Sequence, residues 1–492
     1  MGRLRKIIFY VFALIYLAVA PLTILYALGY IFSPTQQTLV ATGLISLSSE
    51  PSQAQVWLNG ELLKEKTPVI LRNLKPGPYT LRISLPQMHP WQRQVEVKPD
   101  RVFRFENILL FPLTFHPEIL SDFPITRMWH SPLGRNIVVL QGEKASGLFL
   151  FDPERREFRP LFSQSPYGET AVREVLLHPS GERAVAVLKE KEGLRPLLVN
   201  FLDPRETISL GELFQEPFRQ SHWGAPHKNS LFYLQGNTLR RLKADPDEQP
   251  FSLNLQEGVR GYAVQGRRLF VLDGQRRFLE LTEKGKIRNI LLSEPPKIRL
   301  IFGPEEGEHY SLFFLPRLFL FTPLHEALAL FLSDKGKLIS NKLPYFLDEG
   351  VETLIPATAH SRALYRKGNE LWTVDFEREQ EEGFFESGPA RRRIYKAREK
   401  LFPVAWFYDD RYLLFVEGNH VKVLDPEGEG NLMDLLEVSK EVPQVILDEK
   451  RGFLYFAEPA ENRLSRIKLF EAEGVLPRLV DDFVSARSES SP

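Results

Sequence analysis

Three regimes of hydrophobic patterning follow one another along the chain. Residues Ile7 to Ile31 carry no charged side chain. At 1.5 Å per residue, such a run in helical form reaches about 37 Å, enough to cross a hydrocarbon core ~30 Å thick. Arg3, Arg5 and Lys6 precede the run, while Ser33 to Thr42 holds no basic residue. The positive-inside rule then predicts a single-pass anchor in the inner or plasma membrane, with a short cytoplasmic N-terminus over residues 1–6 and the bulk of the chain extracytoplasmic. The expected partner of residues 7–31 is the lipid bilayer. A cleaved signal peptide is the rival, since Ala18-Val19-Ala20 resembles a cleavage site, but Pro21 follows the cut and apolar sequence continues beyond it.

After a linker over residues 32–42 the period changes to two. LISLSSEP and AQVWLNG place apolar residues at alternate positions, as half-buried strands do. Asn59-Gly60 suits a tight hairpin turn because both positions tolerate positive φ. Pro76-Gly77 marks a second turn, and YTLRISL, QRQVEVKPD and VFRFENILL supply further strands. The pattern predicts a compact all-β module over residues 43–112.

The residues of this module resemble the PEGA domain of bacterial surface and envelope proteins. The resemblance runs through Glu50-Pro51, Ala54, Val56-Trp57-Leu58-Asn59-Gly60, Thr67-Pro68, Leu74-Lys75-Pro76-Gly77-Pro78-Tyr79 and His89-Pro90-Trp91. The four residues that name the family read Pro51-Ser52-Gln53-Ala54 here, so the middle two depart. The resemblance implies a β-sandwich-like adhesive or spacer domain without catalytic residues.

The third regime, over residues 113–470, is a repeat. Each unit has an apolar strand, a polar turn, a strongly apolar strand, another turn and a third apolar strand. RMWHSPLGRNIVVLQG and REVLLHPSGERAVAVLKE open the series, and AWFYDDRYLLFVEG and VILDEKRGFLYFAEP end it. Trp129, Trp223, Ile355 and Trp406 occupy equivalent positions in a repeat of about 45 residues, the length of a four-stranded propeller blade. Seven or eight copies fit, eight being the better count. Ring closure has two candidates, the stretch Pro112 to Leu120 or the residues after Phe470. The turns HSPLGRNIVV and HPSGERAVAV are similar to those of WD-repeat-like propellers of the TolB kind, which implies a protein-docking platform. Residues 471–492 are read as a terminal strand and tail. The expected fold class is therefore all-β: a transmembrane helix, a small PEGA sandwich and a β-propeller.

Composition narrows the chemistry. The 492 residues include 63 Lys and Arg against 63 Asp and Glu, so no global basic excess exists to follow a nucleic-acid backbone. Cysteine is absent, which excludes disulfides, thiol nucleophiles and cysteine-held metals. His325-Glu326 lacks the second histidine of a zinc protease, no G-x-S-x-G elbow occurs, and the Gly-Lys pairs at 285–286 and 336–337 continue to Ile and Leu. Asp245-Pro246-Asp247 starts like a calcium loop, but Pro250 and Gln256 stand where Gly and Glu are needed. No catalytic residue, cofactor or metal site is expected.

Two groups remain as possible binding surfaces. Trp57, Tyr79 and Trp91 fit either a stacking platform for sugar rings or a small aromatic core. Glu377 to Glu386 is acidic, and Arg391-Arg392-Arg393 with Lys396, Arg398 and Lys400 is basic. That contrast suits either a self-compensating outer strand and loop or a docking site for an acidic partner or wall polymer. The functional expectation is a non-catalytic scaffold of the bacterial cell envelope that binds an envelope protein or cell-wall polymer and no nucleic acid. The alternatives are a propeller hydrolase acting on glycans or peptides, which needs carboxylates converging at the ring's centre, and an extracytoplasmic sensor subunit acting through a membrane partner.

Overall fold

The computed structural model describes residues 2–27, 30–33, 38–130, 136–162, 166–191, 193–204, 207–214, 218–224, 229–245, 248–265, 268–292, 308–315, 328–341, 346–358, 360–379, 389–427 and 431–471. The chain divides into two compact units: Met1–Phe115 with Leu424–Leu435, and His116–Val423 with Leu436–Pro492.

The first unit opens with the helix Gly2–Ala27, which has Pro21 in its interior. Thr23 Oγ1 donates to the carbonyls of Val19 (2.6 Å) and Ala20 (3.0 Å) just before and at the proline turn. The expectation of a membrane-spanning anchor over residues 7–31 is overturned, and with it the single-pass inner-membrane localisation. Among the described residues no helix is long and apolar enough to cross a membrane. The physical reason shows at the end of the uncharged run. The helix stops at Ala27, and Tyr30–Ser33 instead forms a strand paired antiparallel with Thr38–Ala41. Absence of charge was compatible with either backbone state, and these residues satisfy their peptide groups sideways rather than along a helix.

The strand-rich part of this unit consists of two sheets. In the three-stranded sheet, Gly43–Glu50 lies between Val69–Leu74, antiparallel, and Val102–Leu109, parallel. In the four-stranded antiparallel sheet the order is Glu61–Lys66, Gln55–Leu58, Gly77–Ser84, Trp91–Val97. Alternation fixes which faces meet: Ile45 and Leu47 of the first sheet join Val56, Leu81, Ile83, Val95 and Val97 of the second in one core. Asn59 (φ 51°) and Gly60 (φ 85°) form the expected hairpin turn between Leu58 and Glu61.

Among the described residues, the remaining sheets are eight four-stranded antiparallel ones that form a ring, numbered here as blades one to eight. Their innermost strands are, in order, Arg127–His130, Ala171–Leu177, Phe218–Trp223, Val259–Gln265, Tyr310–Leu315, Thr353–Pro356, Leu401–Phe407 and Val445–Asp448. The ring closes by the first of the two routes: Glu118–Pro124 pairs with Arg463–Lys468 as the outermost strand of blade eight. The Phe-rich stretch 310–332 contributes Tyr310–Leu315 and Leu328–Ser333 as paired strands of blade five; Pro316, Arg317, Pro323 and Glu326 lie outside the described residues, as does His325.

Burial explains the composition of these strands. The second strand of a blade is enclosed on both faces: all of the apolar Ile137–Leu140 is buried, and so is all of Ser230–Gln235, whose middle four residues are Leu, Phe, Tyr and Leu. The cores lie between blades rather than within them. Val138, Leu140 and Leu150 of blade one pack with Val175, Leu177 and Ala186 of blade two. Phe270 and Phe278 of blade four meet Tyr310 and Phe331 of blade five. Ile137, Val139 and Phe151 of blade one meet Ile446, Tyr455 and Leu464 of blade eight, which seals the ring.

Candidate functional site

The equivalent tryptophans of the repeat hold blades together. Trp223 Nε1 donates to the Leu176 carbonyl of blade two (3.0 Å), and Trp406 Nε1 donates to the Ile355 carbonyl of blade six (3.2 Å). Each indole thereby satisfies a carbonyl on the preceding innermost strand. The buried His178 stands edge-on to Trp223 with ring centroids 4.8 Å apart. These positions are structural.

The inner edge of the ring departs from regular pairing at one recurrent place. Register shifts by one residue between Val172 and Glu174, between Arg219 and Ser221, and between Val259 and Gly261. Arg173, Gln220 and Arg260 are thus bulge residues near the start of three successive innermost strands. A bulge adds a residue to one strand only and re-aims side chains, and bulges concentrate beside functional sites.

The surroundings of these bulges are polar and cross-linked. Arg127 Nη1 of blade one donates to the Arg173 carbonyl of blade two (2.5 Å), while the guanidinium carbon sits 4.7 Å from the Trp129 ring centroid. Gln220 Nε2 reaches the Tyr310 carbonyl (3.1 Å) and Ser311 Oγ (3.2 Å), two blades away. That reach requires blade four to recede, and Gly261 lets it: a Cβ there would lie 2.1 Å from the Tyr310 carbonyl oxygen. Tyr262 Oη lies within hydrogen-bond distance of the Gln220 carbonyl (2.5 Å) and the Phe232 carbonyl (2.7 Å). Burial pushes the Tyr262 hydroxyl well above the ordinary phenol range, so it stays a donor. His222 Nδ1 lies 3.2 Å from the same hydroxyl, and desolvation pulls its pKa below the usual histidine value, favouring neutral imidazole.

Tyr310 Oη donates to the buried Glu308 (2.5 Å), whose other oxygen faces Lys337 (3.4 Å) and Lys335 (3.7 Å). Burial first, then this carboxylate, raises the Tyr310 pKa. Among the described residues, Glu308 Oε1, Arg260 Nη1, Gln220 Oε1 and His309 Nδ1 are buried without a hydrogen-bond partner. Buried polar atoms left this way cost about 1–3 kcal/mol each.

Acidic residues are sparse on these strands. Among the described innermost strands, Glu174 is exposed, while Asp448 is buried and paired with Arg451 (3.1 Å). No group of three or more His, Asp or Glu among the described residues could hold a metal ion. Asp245 faces Lys243 (3.3 Å) and accepts from Asn229, while Pro246 and Asp247 lie outside the described residues.

The residues singled out from sequence are not brought together. Trp91 is 4% exposed and belongs to the module's core, its Nε1 donating to Asp425 Oδ2 (3.0 Å) within the same unit. Beside it, Asn431 pairs with both peptide groups of Gln92, and Arg93 bonds Glu427 (2.6 Å). Tyr79 is half-buried against the same core. Trp57 is half-buried with Arg82 over its ring at 5.5 Å. With Trp91 inside, the three rings do not share one open face. His89 is half-buried and its pKa is lowered by burial, against the raising effect of Asp434.

Arg391, Arg392 and Arg393 are exposed on Pro389–Lys396, the outermost strand of blade six. Arg391 donates to the Leu347 carbonyl, Arg393 bonds Glu370 (3.0 Å), and Lys396 approaches the same carboxylate (3.7 Å). Residues 380–388, which include most of the acidic run, lie outside the described residues. Sequence reading missed Arg127, Arg173, Gln220 and Arg260. A bulge breaks alternation by one residue, as in Ala171–Leu177, where buried Val172 and Val175 are three positions apart across Arg173-Glu174, but a single such break in a short strand is hard to tell from a strand end.

Comparison with known proteins gives one family match and several distantly similar structures. The PEGA domain family matches residues 42–109. No curated protein matches the chain. Among solved structures, the Dos1 propeller is similar at 8% identity and a TM-score of 0.46, over 73% of this chain and 95% of that one. The WD40 domain of SCAP from fission yeast is similar at 11% identity and a TM-score of 0.41, over 72% and 94%. The Cps50 (Swd1) β-propeller domain of Myceliophteria thermophila is similar at 11% identity and a TM-score of 0.38, over 72% and 100%. At such scores the propeller rests on the sheet order and ring closure described above.

Proposed function

We propose that the chain is a non-catalytic binding protein whose propeller is a docking platform for a protein partner. The observation that carries this reading is the inventory of the innermost strands. Glycoside hydrolysis needs two carboxyl groups about 5–10 Å apart, and nucleophilic hydrolysis needs a nucleophile, a base and an orienting partner. The described innermost strands offer a lone exposed carboxylate, Glu174, and otherwise carry arginine, glutamine and, at His222, a histidine whose pKa burial lowers. Such a set binds well and transfers protons poorly. The PEGA module supports the same reading by spending its polar side chains on its own architecture. The test incubates the purified full-length chain with glycan and peptide libraries and, in parallel, with a candidate partner. The expected result is stable complex formation without turnover. Turnover that persists through purification and disappears with Glu174→Gln overturns the reading.

A further inference from the structure

The geometry points to the inner edge of blades one to four, bulged in blades two to four, as a receptor for an acidic polypeptide segment, with Arg127, Arg173 and Arg260 as its cationic contacts. The inference rests on the docking reading above and names the chemistry of the docked segment. Three observations carry it. The bulges at Arg173, Gln220 and Arg260 fall near the start of three successive innermost strands that run the same way, so they share one end of the ring. Direct bonds confirm the neighbourhood: Arg127 reaches blade two, Trp223 joins blade three to blade two, and Tyr262 joins blade four to Gln220.

Charge comes second. Arg127 and Arg260 are half-buried and Arg173 is exposed, while Glu174 is the exposed carboxylate on those four strands among the described residues. Arg127 spends one Nη on a carbonyl and lies over Trp129, which holds its guanidinium plane without neutralising it. A planar fork held in place this way suits a carboxylate.

Third, the site is not satisfied by the protein alone. Among the described residues Arg260 Nη1 has no hydrogen-bond partner, and on the neighbouring blade Gln220 Oε1 has none either. A carboxylate arriving beside Arg260 supplies an acceptor for that guanidinium. A nucleic acid fits less well, because the whole chain is formally neutral and three arginines match a few carboxylates rather than a continuous phosphate track.

The experiment uses the full chain and a fluorescent hexaglutamate peptide, read by anisotropy at low and high salt. Binding is expected, weakening steeply with ionic strength because the contacts are partly exposed. Arg173→Glu is expected to weaken it by about tenfold or more, and Arg127→Ala and Arg260→Met by several-fold each. Arg173 is exposed, so its reversal should leave the melting curve in place. Unchanged affinity in Arg173→Glu overturns the inference. So does loss of binding confined to changes at Arg391 and Arg393, or equal binding of single-stranded DNA of the same charge. Failure to bind hexaglutamate without any turnover sinks this inference and spares the docking reading, whereas turnover sinks the latter by itself.

Discussion

The PEGA module and the propeller solve the same problem of covering a sheet's apolar face in different ways. The module folds two unlike sheets onto each other, so one closed core serves the whole unit, and its polar signature residues serve that core. Thr67, fully buried, is the clearest case: its hydroxyl meets Ser49 Oγ at 2.6 Å and accepts from the Ala54 amide at 2.9 Å. The propeller instead divides its apolar area into cores shared by neighbouring blades, and each blade depends on the next. A module with one core ties its signature to many unique contacts. A ring of shared cores asks only that each blade repeat an apolar pattern, and it leaves an inner edge where arginines and bulges are tolerated.

The sharpest way to break this contrast is to empty a shared core. Phe331 is fully buried between blades four and five, with Phe278 edge-on at 5.3 Å. Phe331→Ala should cost about 3–5 kcal/mol. If the core belongs to both blades, the propeller should still unfold in one transition at a lower urea midpoint. A new early phase, with blades four and five melting apart from the rest, would show that blades are independent and that the contrast fails.

Acid provides the next test, through a group at the end of blade seven's second strand. Glu417 is buried, which alone would raise its pKa. Hydrogen bonds from Lys422, Tyr395 and the Arg398 amide outweigh burial and bring it to about 2. Its folded pKa lies below the unfolded value of 4.5, so its contribution is fully present above pH 4.5 and is lost as pH falls toward 2. The slope from one such group is at most ~1.4 kcal/mol per pH unit. Unfolding measured from pH 5 to pH 2.5 should therefore steepen in the wild type relative to Glu417→Gln. Parallel curves would remove Glu417 from the account.

A smaller effect separates the two kinds of repeated aromatic. Trp406→Phe leaves the Ile355 carbonyl without its indole donor and removes ring volume, for about 2–3 kcal/mol. Trp223→Phe should behave alike. Trp129, which has no such indole bond among the described residues, should cost less on the same change. Equal losses at all three would mean that ring packing, not the carbonyl bond, holds these positions.

Much of this architecture was legible because it follows from alternation and turn chemistry. Asn59-Gly60 fixed its hairpin, and the apolar second strands of the blades announced themselves as buried on both faces. Closure by Glu118–Pro124 was readable only as one of two options, since the pairing partner, Arg463–Lys468, lies more than 300 residues away. The helix failed for a different reason. An uncharged run says what a segment avoids, not where its hydrogen bonds go, and Tyr30–Ser33 found them in a neighbouring strand. The candidate site was the least legible part. Arg391 to Arg393 stood out as a run and proved to lie on an outer strand with local partners. Arg127, Arg173 and Arg260 are isolated in sequence and are gathered only by the ring.

The finest test returns to the module and to what its signature is for. Thr67→Val keeps the shape and removes the hydroxyl, leaving the buried Ala54 amide without an acceptor while Ser49 keeps its bond to the Pro51 carbonyl (2.8 Å). The expected loss is about 1–2 kcal/mol, the low end for an orphaned buried donor because the substitution is otherwise volume-conserving. Thr67→Ser makes the opposite trade, keeping the acceptor and losing one methyl, worth about 0.8 kcal/mol of burial. Urea midpoints should therefore rank wild type, then Ser, then Val. If Ser proves the more damaging change, the module buries this residue for its methyl group, and its polar signature loses the role that distinguishes it from the shared apolar cores of the ring.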